Sequence, residues 1–308
     1  MKDGRLRVAV VGVGHLGRHH ARILSGLPDV ELVAVADSNS DRGREVAAAA
    51  GTRVVADFRE LLGQVDAVTI AVPTQSHAEV ALPFLERGTA ALVEKPLARS
   101  LAEADRMIAA ADDSGATLAV GHTERHNPAV RTASALVCDP RFVEVHRLGA
   151  FTDRSLDIDV VFDLMIHDLD IVLSLVRAEV ERIDAVGVPV LTSRIDIANA
   201  RLRFANGCIA NLTASRISRD QIRKIRFFQR DAYVSIDYAE QEVELYRLVR
   251  GAEGPAIDGG RIAVERQEPL LSEIVDFVTA VQNGRQPAVT GEQGRRALAV
   301  ATRIVESM

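Results

Sequence analysis

Gly12, Gly14 and Gly17 close an apolar run with the spacing G-x-G-x-x-G, the pattern of a turn that cradles phosphate. Each glycine has a task. Gly12 permits the tight turn, Gly14 lets backbone approach a pyrophosphate, and Gly17 lets the next helix pack closely on the strand. A helix opening near His15 would aim N–H groups and a positive dipole end at the phosphates. A second apolar run ends in Asp37, about 20 residues past Gly17. A carboxylate there accepts both ribose hydroxyls of an adenosine and repels a 2′-phosphate. Ser38 and Asn39 follow it without an adjacent arginine, and Arg42 lies slightly further on. The pattern predicts a dinucleotide site that takes NAD in preference to NADP.

Glu94-Lys95-Pro96 ends a later apolar run. A lysine there points into the crevice where a nicotinamide would lie, and the proline fixes the turn and permits a cis bond. On residues alone, a surface lysine at a strand end accounts for it as well. Asp163 and His167 are spaced i, i+4, so they share a helix face that Asp170 continues. A carboxylate beside an imidazole orients the ring and suits a general base that removes a hydroxyl proton. A surface ion pair is the alternative, but Phe162 to Asp170 is too apolar for a simply solvated face. His122 and His126 are not read as metal ligands, because Glu124 is wrongly placed for a zincin and Pro128 interrupts a long helix. No metal site is expected. His77 follows a strand end and opens a helix, where it touches a cofactor or serves as a polar helix start. His19 and His20 point in different directions on the first helix and read as packing and surface residues.

These groups need elements to hold them. Strands are expected at Leu6–Val11, Val30–Ala36, Ala67–Val72, Ala90–Glu94 and Thr117–Val120, with helices at His15–Leu24, Asp41–Ala50, Gln75–Arg87 and Leu101–Asp112. Ser100 is the expected N-cap of the last helix, with Glu103 at the capping-box position. Such alternation predicts a doubly wound parallel sheet whose ligands lie beyond the carboxyl ends of its strands. Past residue 121 the pattern changes. Strand-like runs occupy Arg141–Ala150, Ile183–Val190, Ile195–Phe204, Cys208–Ser215, Ile222–Gln229, Ala232–Tyr238 and Glu242–Val249, with a helix at Asp159–Arg177. Asn206-Gly207 predicts a type I′ hairpin. Gly251 to Gly260 reads as a glycine-rich loop, and Leu270–Asn283 and Glu292–Ser307 as closing helices. The fold class is therefore α/β: residues 1–121 a Rossmann domain, and 122–308 an α/β substrate and oligomerisation domain with an open, mostly antiparallel sheet. The last helix is expected to be able to pack back on the first domain.

The 308 residues are 47% apolar and 26% charged, with a formal charge of −6. That balance argues against a nucleic-acid surface, which would need a basic patch. No apolar run approaches membrane-spanning length. Cys138 and Cys208 lack metal spacing and read as small buried residues in a reducing cytosol. The first strand begins by Leu6, which leaves no room for a signal peptide, so a cytoplasmic location is expected.

Taken together, Gly12 to Gly17, Val72-Pro-Thr-Gln-Ser-His77, Glu94-Lys-Pro96, Gly121-His122, Asp163-x-x-x-His167 and the segment Val289-Thr-Gly-Glu to Glu306 resemble the Gfo/Idh/MocA oxidoreductases along the whole chain. This is the glucose–fructose oxidoreductase and inositol dehydrogenase family. The resemblance implies NAD contacts from Gly12, Gly14, His15, Leu16, Gly17, Asp37, Ser38, Val72, Pro73, Thr74, His77, Glu94, Lys95 and His122. It implies that Lys95 hydrogen-bonds the reacting hydroxyl or relays its proton, that His167 is the acid/base and that Asp163 is its orienting, substrate-binding partner. It also implies a homodimer or homotetramer built through the exposed face of the second sheet. A narrower likeness rests on Gly121-His-Thr-Glu-Arg-His-Asn-Pro128 and the run from Asp157 to Asp170. They resemble the branch that includes the UDP-N-acetylglucosamine 3-dehydrogenases of lipid A biosynthesis, although His126 replaces that branch's usual aromatic. The branch implies oxidation of a sugar 3-hydroxyl to a ketone, which a separate aminotransferase would convert to an amine. Among Arg125, Arg154, Arg216 and Arg219, the resemblance favours Arg125 and Arg154 as substrate ligands, because arginine forks suit a diphosphate. The alternatives are another sugar or polyol dehydrogenase, an NAD-dependent glycosidase and a cofactor-sensing regulator; regulators tend to lose the lysine or histidine that this chain retains.

Overall fold

The computed structural model describes residues 4–152, 158–251 and 254–308, which divide between two compact units. One unit takes in the chain to His122 together with Leu270–Arg295, and the other Thr123–Pro269 with Arg296–Met308.

The first unit alternates β1 (Leu6–Val11), α1 (Gly17–Ser25), β2 (Val30–Ala36), α2 (Ser40–Ala50), β3 (Arg53–Val55), β4 (Ala67–Ile70), α3 (His77–Leu85), β5 (Ala90–Glu94), α4 (Leu101–Ser114) and β6 (Leu118–Gly121). Its six strands pair in parallel in the order β3-β2-β1-β4-β5-β6. Helices cover both faces of such a sheet, which is why β4 and β5 are apolar-rich runs buried along their whole length. Strand order reverses between β1 and β4, and ligands of doubly wound sheets lie beyond the strand ends at that point. Local signals set the helix limits. Ser100 accepts the Glu103 N–H at the start of α4, and Gly51 and Gly115 close α2 and α4 in left-handed conformations. The short edge strand β3 is an addition to the expected elements. Three residues with an arginine at the first carry too little pattern to be read as a strand.

In the second unit a 3₁₀ turn at Thr123–His126 leads into α5 (Pro128–Ser134) and β7 (Phe142–Leu148). A π-helical turn at Val161–Met165 then runs into α6 (Ile166–Val176). There follow β8 (Val180–Val188), β9 (Ile197–Phe204), β10 (Ile209–Ser215), β11 (Ile222–Phe228), β12 (Ala232–Asp237), β13 (Glu242–Gly251) and β14 (Gly254–Ile262). The eight strands run β14-β13-β12-β11-β7-β10-β9-β8, and every pair is antiparallel except β7 with β10. Two closing helices complete the chain, α7 (Pro269–Asn283) and α8 (Gly291–Glu306). In the second unit one sheet face is buried under α5, α6 and the later part of α8, whose Ala297, Val300, Ala301 and Ile304 join its core. In the first unit α7 supplies Ile274, Phe277 and Val278 to the core that holds Val8, Val10 and Leu92. Among the described residues no helix is long and apolar enough to cross a membrane.

Three expectations need correction. The glycine-rich stretch read as a loop contains β14, which pairs with β13 along its length. Gly259 lies at φ 146°, and a Cβ there would sit 2.0 Å from the Leu245 carbonyl oxygen, so the glycines serve close backbone approach within a strand. The Asn206-Gly207 hairpin is not type I′, because only Gly207 has a positive φ, at 82°. Phe204 accepts the Gly207 N–H, giving a three-residue loop that ends in a left-handed glycine. The helix expected over Asp159–Arg177 is not uniformly α-helical. Ile166 N–H reaches back to the Val161 carbonyl and closes the π turn.

Candidate active site

The turn after β1 has the shape that a dinucleotide phosphate requires. Gly12 sits at φ 83°, and a Cβ there would lie 2.8 Å from the Ala71 backbone. A Cβ on Gly17 would lie 1.8 Å from the Gly12 carbonyl oxygen, so α1 can start this close to the turn only with glycine. Gly14 is different: nothing lies within 4 Å of its Cβ position, which leaves its backbone open to a ligand. No side chain caps the start of α1, and His15 and Leu16 beside it are exposed. These features fit NAD, with the pyrophosphate over Gly14 and the α1 N-terminus.

Asp37 ends β2 with its side chain buried. It accepts the Val13 N–H at 2.9 Å and the Asn39 N–H at 2.8 Å, which ties the glycine turn to the end of the next strand. Arg42 also reaches it, with Nε 3.0 Å from Oδ2 and Nη2 2.7 Å from Oδ1. Burial disfavours the carboxylate, but the Arg42 fork and the two N–H bonds outweigh it and hold the Asp37 carboxyl below its ordinary value. Four donors fill its four lone-pair positions. A ribose hydroxyl bonding this carboxylate would have to share it with, or displace, one of these donors. Arg42, which lies slightly beyond the acid in sequence, is thus its partner in the structure.

Val72 and Thr74 are half-buried and Pro73 and Ser38 exposed at their strand ends. His77 is buried, with Nδ1 2.9 Å from the Pro96 carbonyl oxygen and Nε2 3.0 Å from that of Val72. Burial lowers its pKa despite those carbonyls. Both ring nitrogens thus serve the chain, linking the turn after β4 to that after β5. Glu94 is buried as well, and His122 is 1% exposed. Lys95, at the end of β5, is half-buried and followed by a cis bond to Pro96.

In the second unit Asp163 lies on the π turn and His167 in the first turn of α6, both half-buried. Buried ion pairs hold that helix. Arg147 on β7 forks onto Asp168 at 2.6 and 3.1 Å, reaches Glu124 at 3.2 Å and lies over the Tyr238 ring. Burial pushes the Asp168 carboxyl up while Arg147 pulls it back. Arg125 forks onto Asp170 at 2.7 and 2.9 Å. Asn127 caps α5 through Ala129 N–H and donates to the Tyr238 carbonyl. The segment Glu124 to Asn127 is therefore a clasp between α5, α6, β7 and the end of β12. The Arg125 fork is held by Asp170, and Arg216 gives Nη2 to the Ile158 carbonyl. Arg154 lies outside the described residues.

Residues 6–122 match an oxidoreductase family with an NAD-binding Rossmann fold, and residues 129–232 match the Gfo/Idh/MocA C-terminal domain. Across 97% of this chain and 96% of the relative, the sequence is 40% identical to UDP-N-acetylglucosamine 3-dehydrogenase of Acidithiobacillus ferrooxidans. The chain belongs to the Gfo/Idh/MocA oxidoreductase family. A solved structure of that Acidithiobacillus enzyme shares the fold at a TM-score of 0.92 and 38% identity, covering 99% of this chain and 98% of the other. Myo-inositol 2-dehydrogenase of Thermotoga maritima is 28% identical over 95% of this chain and 93% of its own. As a Gfo/Idh/MocA protein the chain is an NAD-dependent oxidoreductase acting on CH–OH groups. Reading the sequence missed the Asp37–Arg42 pair and the Arg147–Asp168 pair. Buried pairs between distant segments leave no periodic signal, whereas Arg42 had a detectable one: it is five residues past the acid on a helix start.

Proposed function

We propose that this family member oxidises a UDP-sugar, with the 3-hydroxyl of UDP-N-acetylglucosamine as the reacting group and a 3-ketone as product. The 40% identity, sustained across 97% of the chain, to an enzyme named for that reaction carries the reading. Gly12, Gly14, Gly17 and Asp37 hold the dinucleotide. Bound NAD supplies the acceptor for the hydride that leaves carbon 3. Lys95 donates a hydrogen bond to the reacting oxygen, which stabilises negative charge as the O–H bond breaks. His167 takes the hydroxyl proton, and Asp163 orients the imidazole and receives substrate hydroxyls. Asp163 sits on a π turn, an irregularity that in helices gathers at functional sites. Arg154 is the candidate for the substrate diphosphate. The ketone is a form that an aminotransferase would accept, which is consistent with a role in a sequence leading to lipid A. Apolar residues exposed on the second sheet, among them Val186, Val188, Leu248 and Ile257, support assembly of identical chains through that face.

Purified protein is mixed with NAD and UDP-N-acetylglucosamine beside a panel of other UDP-sugars and inositols. A ketone trap is included because alcohol oxidation is unfavourable at equilibrium. Reduced cofactor should form fastest with UDP-N-acetylglucosamine, and Lys95→Ala and His167→Gln should each lower kcat by about 10²- to 10⁴-fold. The substrate assignment fails if UDP-N-acetylglucosamine gives no more reduced cofactor than the Lys95→Ala control.

A further inference from the structure

Three buried titratable groups meet in the first unit beside Lys95. His20 of α1, Glu94 at the end of β5 and Glu273 of α7 are 0%, 5% and 1% exposed, and one ligand atom of each lies within 4.8 Å of the others. Glu94 carries the geometry. Its Oε1 accepts His20 Nε2–H at 3.2 Å, and its Oε2 accepts the backbone N–H of Lys95 at 3.2 Å. Gly121 on the neighbouring β6 leaves the room: a Cβ there would stand 3.0 Å from Oε2. On the far side of Lys95, the Pro96 carbonyl faces His77 of α3 at 2.9 Å. The Lys95 N–H is thus held by the Glu94 side chain, itself bonded to His20 of α1, and the Pro96 carbonyl by His77 of α3.

A metal ion fits this cluster poorly. It offers three ligand residues where structural zinc takes four, and His20 and Glu94 are already in direct hydrogen-bond contact. A proton shared between His20 Nε2 and Glu94 Oε1 satisfies those two atoms. The groups facing Glu94 are His20, Lys95, His77 and Glu273. Burial alone would raise the Glu94 carboxyl, but His20, Lys95 and His77 together keep it below its ordinary value.

We propose that His20 and Glu273 are positioning residues that act through Glu94 to fix the backbone from which Lys95 reaches the substrate. This rests on the reading of Lys95 given under the proposed function. A misplacement of about 1 Å at a reacting group costs up to about 10²-fold in rate. His20→Ala removes the donor to Glu94, whereas His20→Gln offers an amide N–H in its place. His20→Ala should lower kcat by about tenfold or more with the KM for NAD little changed, and His20→Gln should recover most of that loss.

A second readout needs no turnover. The chain has three lysines, Lys2, Lys95 and Lys224, so acylation of Lys95 can be followed by peptide mass spectrometry with Lys224 as internal reference. The Lys95-to-Lys224 labelling ratio should change severalfold in His20→Ala and return towards wild type in His20→Gln. If His20→Ala does not fold, Glu273→Gln takes its place in both measurements, with the same losses expected. The proposal is overturned if kcat and the labelling ratio of the alanine variant stay near wild type, if glutamine is as damaging as alanine, or if the purified protein holds a stoichiometric metal that Glu273→Gln loses. Should wild-type protein oxidise no sugar, the substrate reading fails while the labelling ratio still decides this one.

Discussion

At the scale of single residues, with Asp37 read as the group that selects NAD, its partner Arg42 is the residue to watch when Asp37 is lost. A carboxylate at this place would repel a 2′-phosphate, and it also occupies the Arg42 fork, a group suited to hold one. Asp37→Ala removes the repulsion and releases Arg42. The ratio of kcat/KM with NAD to that with NADP should therefore fall by at least about tenfold, equivalent to about 1.4 kcal/mol. Asp37→Ala with Arg42→Ala should lose NAD affinity without gaining NADP. Initial rates with both cofactors check this, and equal ratios in wild type and Asp37→Ala would refute it. The glycine turn and the position of Asp37 at its side were legible because their geometry is local: one turn, one helix start, one strand end. The protein partners of His77 and Arg125 were not, because both side chains bond groups distant in sequence or in register.

At the scale of elements, buried charges hold the pieces that carry the candidate chemistry. Arg147, from β7, pairs with Asp168 on the helix that bears His167. Arg147→Met should leave Asp168 and Glu124 uncompensated and destabilise the protein by about 3–5 kcal/mol, read as a lower denaturation midpoint. Replacing Arg147 and Asp168 together with apolar residues should cost less than Arg147→Met alone. Asp196 does similar work for the segment after β8. It accepts N–H bonds from Val190, Leu191 and Thr192 and the Thr192 hydroxyl. Burial opposes its charge, yet those N–H bonds bring its carboxyl down to about 2. A lowered folded value means that the stabilisation is full above the ordinary carboxylate value and disappears as pH falls towards about 2. It amounts to on the order of 2 kcal/mol. Asp196→Asn should accordingly be less stable than wild type at neutral pH, and the difference should shrink between about pH 4 and about pH 2 in urea melts. A gap that stays constant with pH would contradict this.

At the scale of the whole molecule, the chain returns to a unit it had left. Phe277 is 1% exposed and lies with Ile274 and Val278 in the core of the first unit, more than half the chain away from β6. Residues 1–122 expressed alone should expose that core, bind a hydrophobic dye and bind NAD far more weakly than the full chain. Phe277→Ala in the full chain should cost about 3–5 kcal/mol. A fragment of residues 1–122 that unfolds cooperatively and binds NAD as the full chain does would show that α7 is dispensable.

What the amino-acid order alone determined was periodic or local. The parallel run of β1 to β6 follows from unbroken apolar stretches between helical ones, and the second sheet from alternation such as that of β9. The dinucleotide turn follows from three glycines and an acid. What tertiary structure decided was pairing across long separations: β14 as a strand because β13 lies beside it, His20 as the partner of Glu94, and Arg147 as the clamp on α6. Those outcomes depend on which groups are buried together. Burial makes an unpaired charge or N–H costly, and that cost is assigned only once the chain has closed on itself.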